Sequence, residues 1–216
     1  MLLVHHPNDA ELHYVNMNHN SLHIMNLEDD QKSDLVSFFK VVCNLKKVRR
    51  SGWIHKANIS SPESVADHSY SMCMMCMVLS EILNLDTEYV MKMANLHDLA
   101  ESMVGDNTPD MISHDEKIIQ EDKAMREIIF KLPYNLHEKY LAIWNEYIEN
   151  KTTSSKFVHT IDKLEMALQA KSYEIDGYSK QSLQVFLSSA VDYVLNDKFE
   201  LVSEILQTLN DDSKNK

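Results

Sequence analysis

At 216 residues the chain is long enough to bury a substantial core in one domain, and a formal charge of −12 excludes a general binder of nucleic acid or acidic membrane, which needs a basic face against phosphates. Three cysteines make no disulfide framework and point to a reducing, intracellular and cytoplasmic setting. No run approaches the ~18 apolar residues of a membrane span, and the N-terminus lacks the apolar core of a signal peptide.

Three Gly and four Pro leave little turn chemistry for a sheet, and no sustained apolar–polar alternation is present. The expected fold is therefore all-α, a single globular helical bundle over residues 29–210. Residues 1–28 hold five of the eleven His, several Asn and no periodicity, which reads as a mobile extension whose His can bind metal adventitiously. Residues 211–216 form a polar tail.

Ser33 and Asp34 can open a first helix with Leu35, Phe38, Phe39, Val42 and Leu45 on one apolar face, closed by Lys46, Lys47, Arg49 and Arg50. Singly, each cation is most simply a solvated helix end. However, Arg50-Ser51-Gly52-Trp53 leads into a polar loop, and Arg beside Trp suits a phosphate that carries a sugar or base. Ser64 and Asp67 have capping-box spacing for a helix over about 64–83, with His68 in its second turn. In the following Met72-Cys73-Met74-Met75-Cys76-Met77, the methionines are core filler and the cysteines inert buried thiols, despite redox-like spacing.

Asp86 caps the next helix, expected over 87–104. On one helix, Asp98 and Glu101 are three apart and His97 and Glu101 four apart, so all three reach one region of space. Gly105 reads as the helix stop and delivers Asp106 to the rim of the same region. His114-Asp115 repeats the His-Asp pair in polar surroundings and reads as structural, opening a helix to about 131. Helices follow over about 134–149, with Trp144 and Tyr147 in or near the core; 156–173, with Phe157, Ile161, Leu164 and Leu168 at helical spacing; 179–195; and 198–209. The last two carry no distinctive chemical motif.

Taken alone, His68 is most often a core or capping residue, and Asp162 a solvated one. Together with His97 and Asp98 they place four transition-metal ligands in apolar helical sequence, where ionisable groups are costly unless paired or coordinated. Two imidazoles and two carboxylates suit one divalent Mn, Co, Fe or Zn ion better than an oxygen-only Mg site.

His68, His97-Asp98 and Asp162 in this order resemble the H…HD…D signature of the HD-domain metal-dependent phosphohydrolases. PESVADH at 62–68, LHDLAESMVGD at 96–106 and KFVHTIDKLEMALQA at 156–170 are similar to the HD-domain 5′-deoxynucleotidases, a likeness that covers residues 33–195. The resemblance implies an all-helical fold, usually a homodimer, that removes phosphate from 2′-deoxyribonucleoside 5′-monophosphates with a divalent transition metal. It implies His68, His97, Asp98 and Asp162 as ligands, Glu101 as the catalytic carboxylate, Asp106 near the sugar, and Trp53 as the ring that helps exclude a ribose 2′-hydroxyl. Some relatives carry Arg directly before that Trp, where this chain has Gly52, so the phosphate cation is Arg50 or, in its place, Lys56. The same signature also leaves another phosphoester open as substrate: guanosine tetraphosphate, a cyclic nucleotide or a nucleoside triphosphate.

Overall fold

Polar caps set most of the helix starts. The structure, a computed structural model, describes residues 27–212, so the expectations for residues 1–26 and 213–216 lie outside it. Helix α1 (Asp29–Asn44) opens ahead of Ser33, because the Gln31 side chain accepts from the Glu28 backbone N–H at 3.0 Å and Lys32 pairs with Asp29 at 2.8 Å. Its expected apolar face is only partly covered. No side chain of α1 is fully buried and Phe39 is 57% exposed, since α1 leans on the edge of the bundle; Phe38 packs half-buried against the core, and Leu45, in the 3₁₀ turn that follows, is buried in it.

A short helix, α2 (Ser51–Ala57), stands where the polar loop was expected. Asp106 accepts from the Ser51 N–H at 2.6 Å and satisfies one of the free amides at the helix start, and Asn58 closes it in the left-handed region at φ 55°. Helix α3 (Val65–Ile82) opens on the Ser64–Asp67 capping box, with both reciprocal bonds made.

Helix α4 (Thr87–Leu96) starts at Asp86, whose carboxylate accepts from the Tyr89 N–H. The single helix expected over 87–104 is broken. The His97 ring takes the Ala94 carbonyl at 2.7 Å, the acceptor that the Asp98 N–H would use in a continued α-helix. Tighter i→i−3 bonds then carry the chain, from Leu99 N–H to Leu96 and from Glu101 N–H to Asp98, into α5 (Glu101–Val104). Gly105 ends it at φ 79°.

Helix α6 (His114–Ile129) has its own Ser113–Glu116 capping box, and α7 (Tyr134–Glu149) follows Pro133 and buries Trp144. Helix α8 (Thr153–Ile175) begins ahead of 156 because Thr152 and Ser155 cap it, and α9 (Lys180–Leu195) and α10 (Glu200–Asp212) complete the bundle. Helix α8 is the axis: it packs against α3, α4, α7, α9 and α10, with Phe157, Ile161 and Leu164 fully buried at the expected spacing. Among the described residues no strand forms, the one antiparallel bridge joining Arg49 to Ser64. None of the described helices is long and apolar enough to cross a membrane.

Burial pushes the Cys73 thiol up to about 11, and burial with Cys73 and Asp162 nearby pushes Cys76 higher still, whereas Cys43 is exposed. Alkylation of the folded protein at mildly alkaline pH is expected to modify Cys43 alone, and all three thiols after unfolding, as read by intact mass. Labelling of Cys73 or Cys76 in the folded state would contradict this packing.

Candidate metal centre

Three separate segments bring the four expected ligands near one another: His68, His97 and Asp98 form one group whose donor atoms all lie within 4.8 Å of one another, and Asp162 adjoins it through His68. Helix α3 brings His68, the turn between α4 and α5 brings His97 and Asp98, and α8 brings Asp162. His68 Nε2 lies 3.3 Å from His97 Nε2, 3.3 Å from Asp162 Oδ1 and 3.6 Å from Asp98 Oδ2, and His97 Nε2 lies 3.0 Å from Asp98 Oδ2. Donor atoms bound to one ion at ~2.0–2.2 Å stand about 3–3.6 Å apart along the edges of the coordination polyhedron, so the separations among His68, His97 and Asp98 fit a shared ion, with Asp162 beside it on the His68 side.

The imidazoles are aimed through their other nitrogens. His68 Nδ1–H donates to Glu165 Oε2 at 2.5 Å, and His97 Nδ1–H donates to the Ala94 carbonyl at 2.7 Å. With Nδ1 so engaged, each ring turns its Nε2 toward the cluster. Asp98 Oδ2 is buried there without a hydrogen-bond partner, which calls for a cation between these groups. Glu165 was missed by sequence reasoning as a group that acts on His68. Its signal is its position one turn after Asp162, on the same face of α8.

Charge in the site is mostly negative and buried. Burial alone would raise Asp98, but His97, His68 and Arg50 hold it below the usual carboxylate range; Lys163, His68 and Arg50 do the same for Asp162 against its burial. Burial and Arg50 oppose a proton on His68, yet hydrogen bonds to Asp162 and Glu165 outweigh them and raise it to about 10. The cluster thus favours positive charge at its centre. Burial, reinforced by Asp98 and Asp106, pushes Glu101 well above the carboxylate range despite Lys117 at 3.2 Å from its Oε1; its Oε2 is buried and unpartnered.

A cavity of about 270 Å³ adjoins the cluster. Two of its lining residues reach the ligands: Arg50 Nη1 lies 3.6 Å from Asp98 Oδ2, and Lys163 pairs with Asp162 at 2.8 Å. Trp53 forms part of the wall, buried, with its indole N–H on Glu63 Oε1 at 3.0 Å and its ring against Phe186 and Tyr173. Asp106 is at the rim, as its position after Gly105 led us to expect, and also caps α2. Lys56 lies farther out, part-exposed and paired with Asp110 at 3.5 Å. Helix α9, which carried no motif, supplies Val185, Phe186 and Ser189 to the lining. Glu63 is a further residue missed from sequence: burial and Glu165 push it up to about 7, while it receives the Trp53 N–H and faces Arg50 Nε at 3.9 Å.

Replacement of Glu165 by Gln keeps the size of the side chain and removes the charge that orients His68. Affinity for Mn(II) is expected to fall ~10–100-fold by calorimetric titration, with the melting temperature of the metal-free protein showing that the fold is kept. Unchanged affinity would show that His68 needs no such support.

The chain is 37% identical over 173 residues to 5′-deoxynucleotidase HDDC2 of Homo sapiens, covering 79% of this chain and 84% of the relative. It is 38% identical over 178 residues to the protein of the same name from Xenopus laevis, covering 82% and 88%. Among solved structures, a conserved hypothetical protein from Pyrococcus furiosus superposes with a TM-score of 0.65 at 26% identity, covering 81% of this chain and 98% of that one. The HD domain family matches residues 42–202, from the C-terminal end of α1 into α10, and on a match of that extent this chain belongs to the HD domain family.

Proposed function

We propose that the chain is a metal-dependent 5′-deoxynucleotidase, which hydrolyses 2′-deoxyribonucleoside 5′-monophosphates to deoxynucleoside and phosphate. The observation that carries this reading is Arg50: its guanidinium lines the cavity and stands 3.6 Å from Asp98, so a phosphate bound there would meet the metal cluster directly. The name shared by the relatives above supports the same substrate class.

His68, His97, Asp98 and Asp162 would hold a divalent Mn, Co, Fe or Zn ion, which when bound supplies a Lewis acid to polarise the phosphate and acidify water. The protein's own groups do the rest. Burial opposes charge on Arg50, but Asp98, Asp162, Asp106 and Glu101 keep it firmly cationic, so it can hold the phosphate dianion in an otherwise acidic protein. Water adds to phosphorus as the bond to the 5′ oxygen breaks. Glu101 Oε2, the unpartnered oxygen, would position the water or exchange a proton with it or with the departing oxygen. Trp53, wedged against Phe186 and Tyr173, is a rigid wall on which a ribose 2′-hydroxyl would find no partner, and Asp106 faces the sugar from the rim. Lys56 is a secondary cation at the mouth. The three free thiols fit a reducing intracellular setting.

The pair of helices α1 and α3 supports a homodimer. Tyr70, Met74, Val78 and Ile82 recur every four residues along α3 and are all exposed, as are Val36 and Phe39 of α1. Helices α1, α3 and α4 together line an apolar groove through Phe38, Val42, Met77, Met91 and Leu96. A two-fold axis would let this one patch cover its own copy.

The function is tested by phosphate release from matched deoxyribo- and ribonucleoside 5′-monophosphates, with EDTA-stripped protein resupplied with Mn, Co, Fe or Zn. Release should require metal, favour the deoxy series, and fall by ~100-fold or more in His97→Ala and Glu101→Ala, while Trp53→Ala should narrow the deoxy preference. Hydrolysis confined to another phosphoester would overturn the assignment. The dimer is tested by sedimentation: Val78→Glu is expected to give a monomer, and a wild-type monomer at micromolar concentration would refute it.

A further inference from the structure

Lys117 projects from α6, the helix whose His-Asp pair reads as structural, and lies outside the ligand set and the cavity lining. Its Nζ stands 3.2 Å from each of three acceptors: Glu101 Oε1, Glu121 Oε1 and the Asn107 carbonyl. An ammonium has three N–H groups, so each finds one acceptor. The three contacts have different consequences.

On Glu101 the ion pair occupies Oε1 and fixes the carboxylate plane, leaving Oε2 as the free oxygen. Glu121, one turn further along α6, holds the ammonium from its own helix. The Asn107 carbonyl belongs to the loop that leaves Gly105 and carries Asp106; the Asn107 side chain in turn donates to the Val104 carbonyl, and Asp106 accepts from the Ser51 N–H at the start of α2. One cation therefore ties the carboxylate beside the metal ligands and the rim of the cavity to a single rigid helix.

We propose that Lys117 is a positioning residue that fixes Glu101 for proton transfer and fastens the Asp106 loop, an inference that rests on the role given to Glu101 above. A lysine with a purely structural duty would show the same distances, but its loss would be felt whether or not Glu101 can transfer a proton. The two readings separate in a double-mutant cycle.

The experiment compares wild type, Lys117→Met, Lys117→Arg, Glu101→Gln and the Lys117→Met/Glu101→Gln double variant. In Lys117→Met, kcat on a deoxynucleoside monophosphate is expected to fall ~10–100-fold, with KM and the Mn(II) affinity within about threefold of wild type and partial recovery in Lys117→Arg. In the Glu101→Gln background the same substitution should cost nothing further. In metal-free protein, amide exchange at residues 105–108 and at Ser51 should accelerate in Lys117→Met and not in Lys117→Arg. Additive losses of kcat, or unchanged exchange, would overturn the proposal. If wild type hydrolyses no nucleotide, the functional assignment fails while the exchange measurement still decides whether Lys117 holds the loop. Should Lys117→Met not fold, Lys117→Gln carries the same comparison.

Discussion

Excess negative charge in a dry interior is the constraint to which this molecule answers. Glu63, Asp98, Glu101, Asp162 and Glu165 gather around two imidazoles, and Arg50, Lys117 and Lys163 are the cations that face them. Buried like charges cannot all ionise unless a counter-charge is supplied, and two of the carboxyls, Glu63 and Glu101, are accordingly driven upward. A divalent cation held by these imidazoles and carboxylates would relieve that excess where it is greatest. The donor set would thus account both for how the cluster is tolerated in the core and for an affinity toward metal.

The fold serves this point by bringing two helices and a turn to it with different tolerances. Helix α3 is fixed by its capping box four residues before His68, and α8 is anchored on both sides of Asp162 by Ile161 and Leu164, both fully buried. These are rigid supports. His97 and Asp98 come instead from a tightened turn, and the bond that shapes the turn is the one that orients a ligand, His97 Nδ1 on the Ala94 carbonyl. A straight helix through this stretch would leave His97 without that partner. The break in α4–α5 is therefore part of the site.

Much of this was legible in the sequence where the relevant physics is local. Ser64 with Asp67, Asp86 and Gly105 mark helix ends by capping and backbone freedom, and the spacing of Phe157, Ile161 and Leu164 identifies the buried face of α8. The meeting of His68, His97 and Asp98 was readable for the same reason: buried His and Asp in apolar sequence need a partner. The remainder depends on contacts between distant segments. The interruption at His97 arises from a ring competing for a backbone carbonyl, which no propensity encodes, and α2 forms because Asp106, 55 residues away, caps it. Glu63, Lys117 and Phe186 carry ordinary identities in ordinary helix or loop positions, and only the tertiary arrangement gives them neighbours. The exposed face of α1 reads as a core face by periodicity alone, because periodicity reports that a face is apolar and not what covers it.

The glycine before Trp53 shows how one such contact redistributes roles within the site. A Cβ at Gly52 would stand 3.3 Å from Phe186 Cε1 and 3.9 Å from Thr108 Cγ2, so any longer side chain at this position would start against the Phe186 ring. That ring is itself packed on Trp53, with centroids 4.0 Å apart, and forms the α9 side of the cavity. An arginine at position 52 would have to displace it. Arg50 escapes the conflict because it precedes α2, in extended backbone at φ −66° and ψ 97°, from which its guanidinium reaches Asp98 on one side and Glu63 on the other. Arg50 thus stands beside Asp98 from outside the helix, and the space at Gly52 is filled by an aromatic wall.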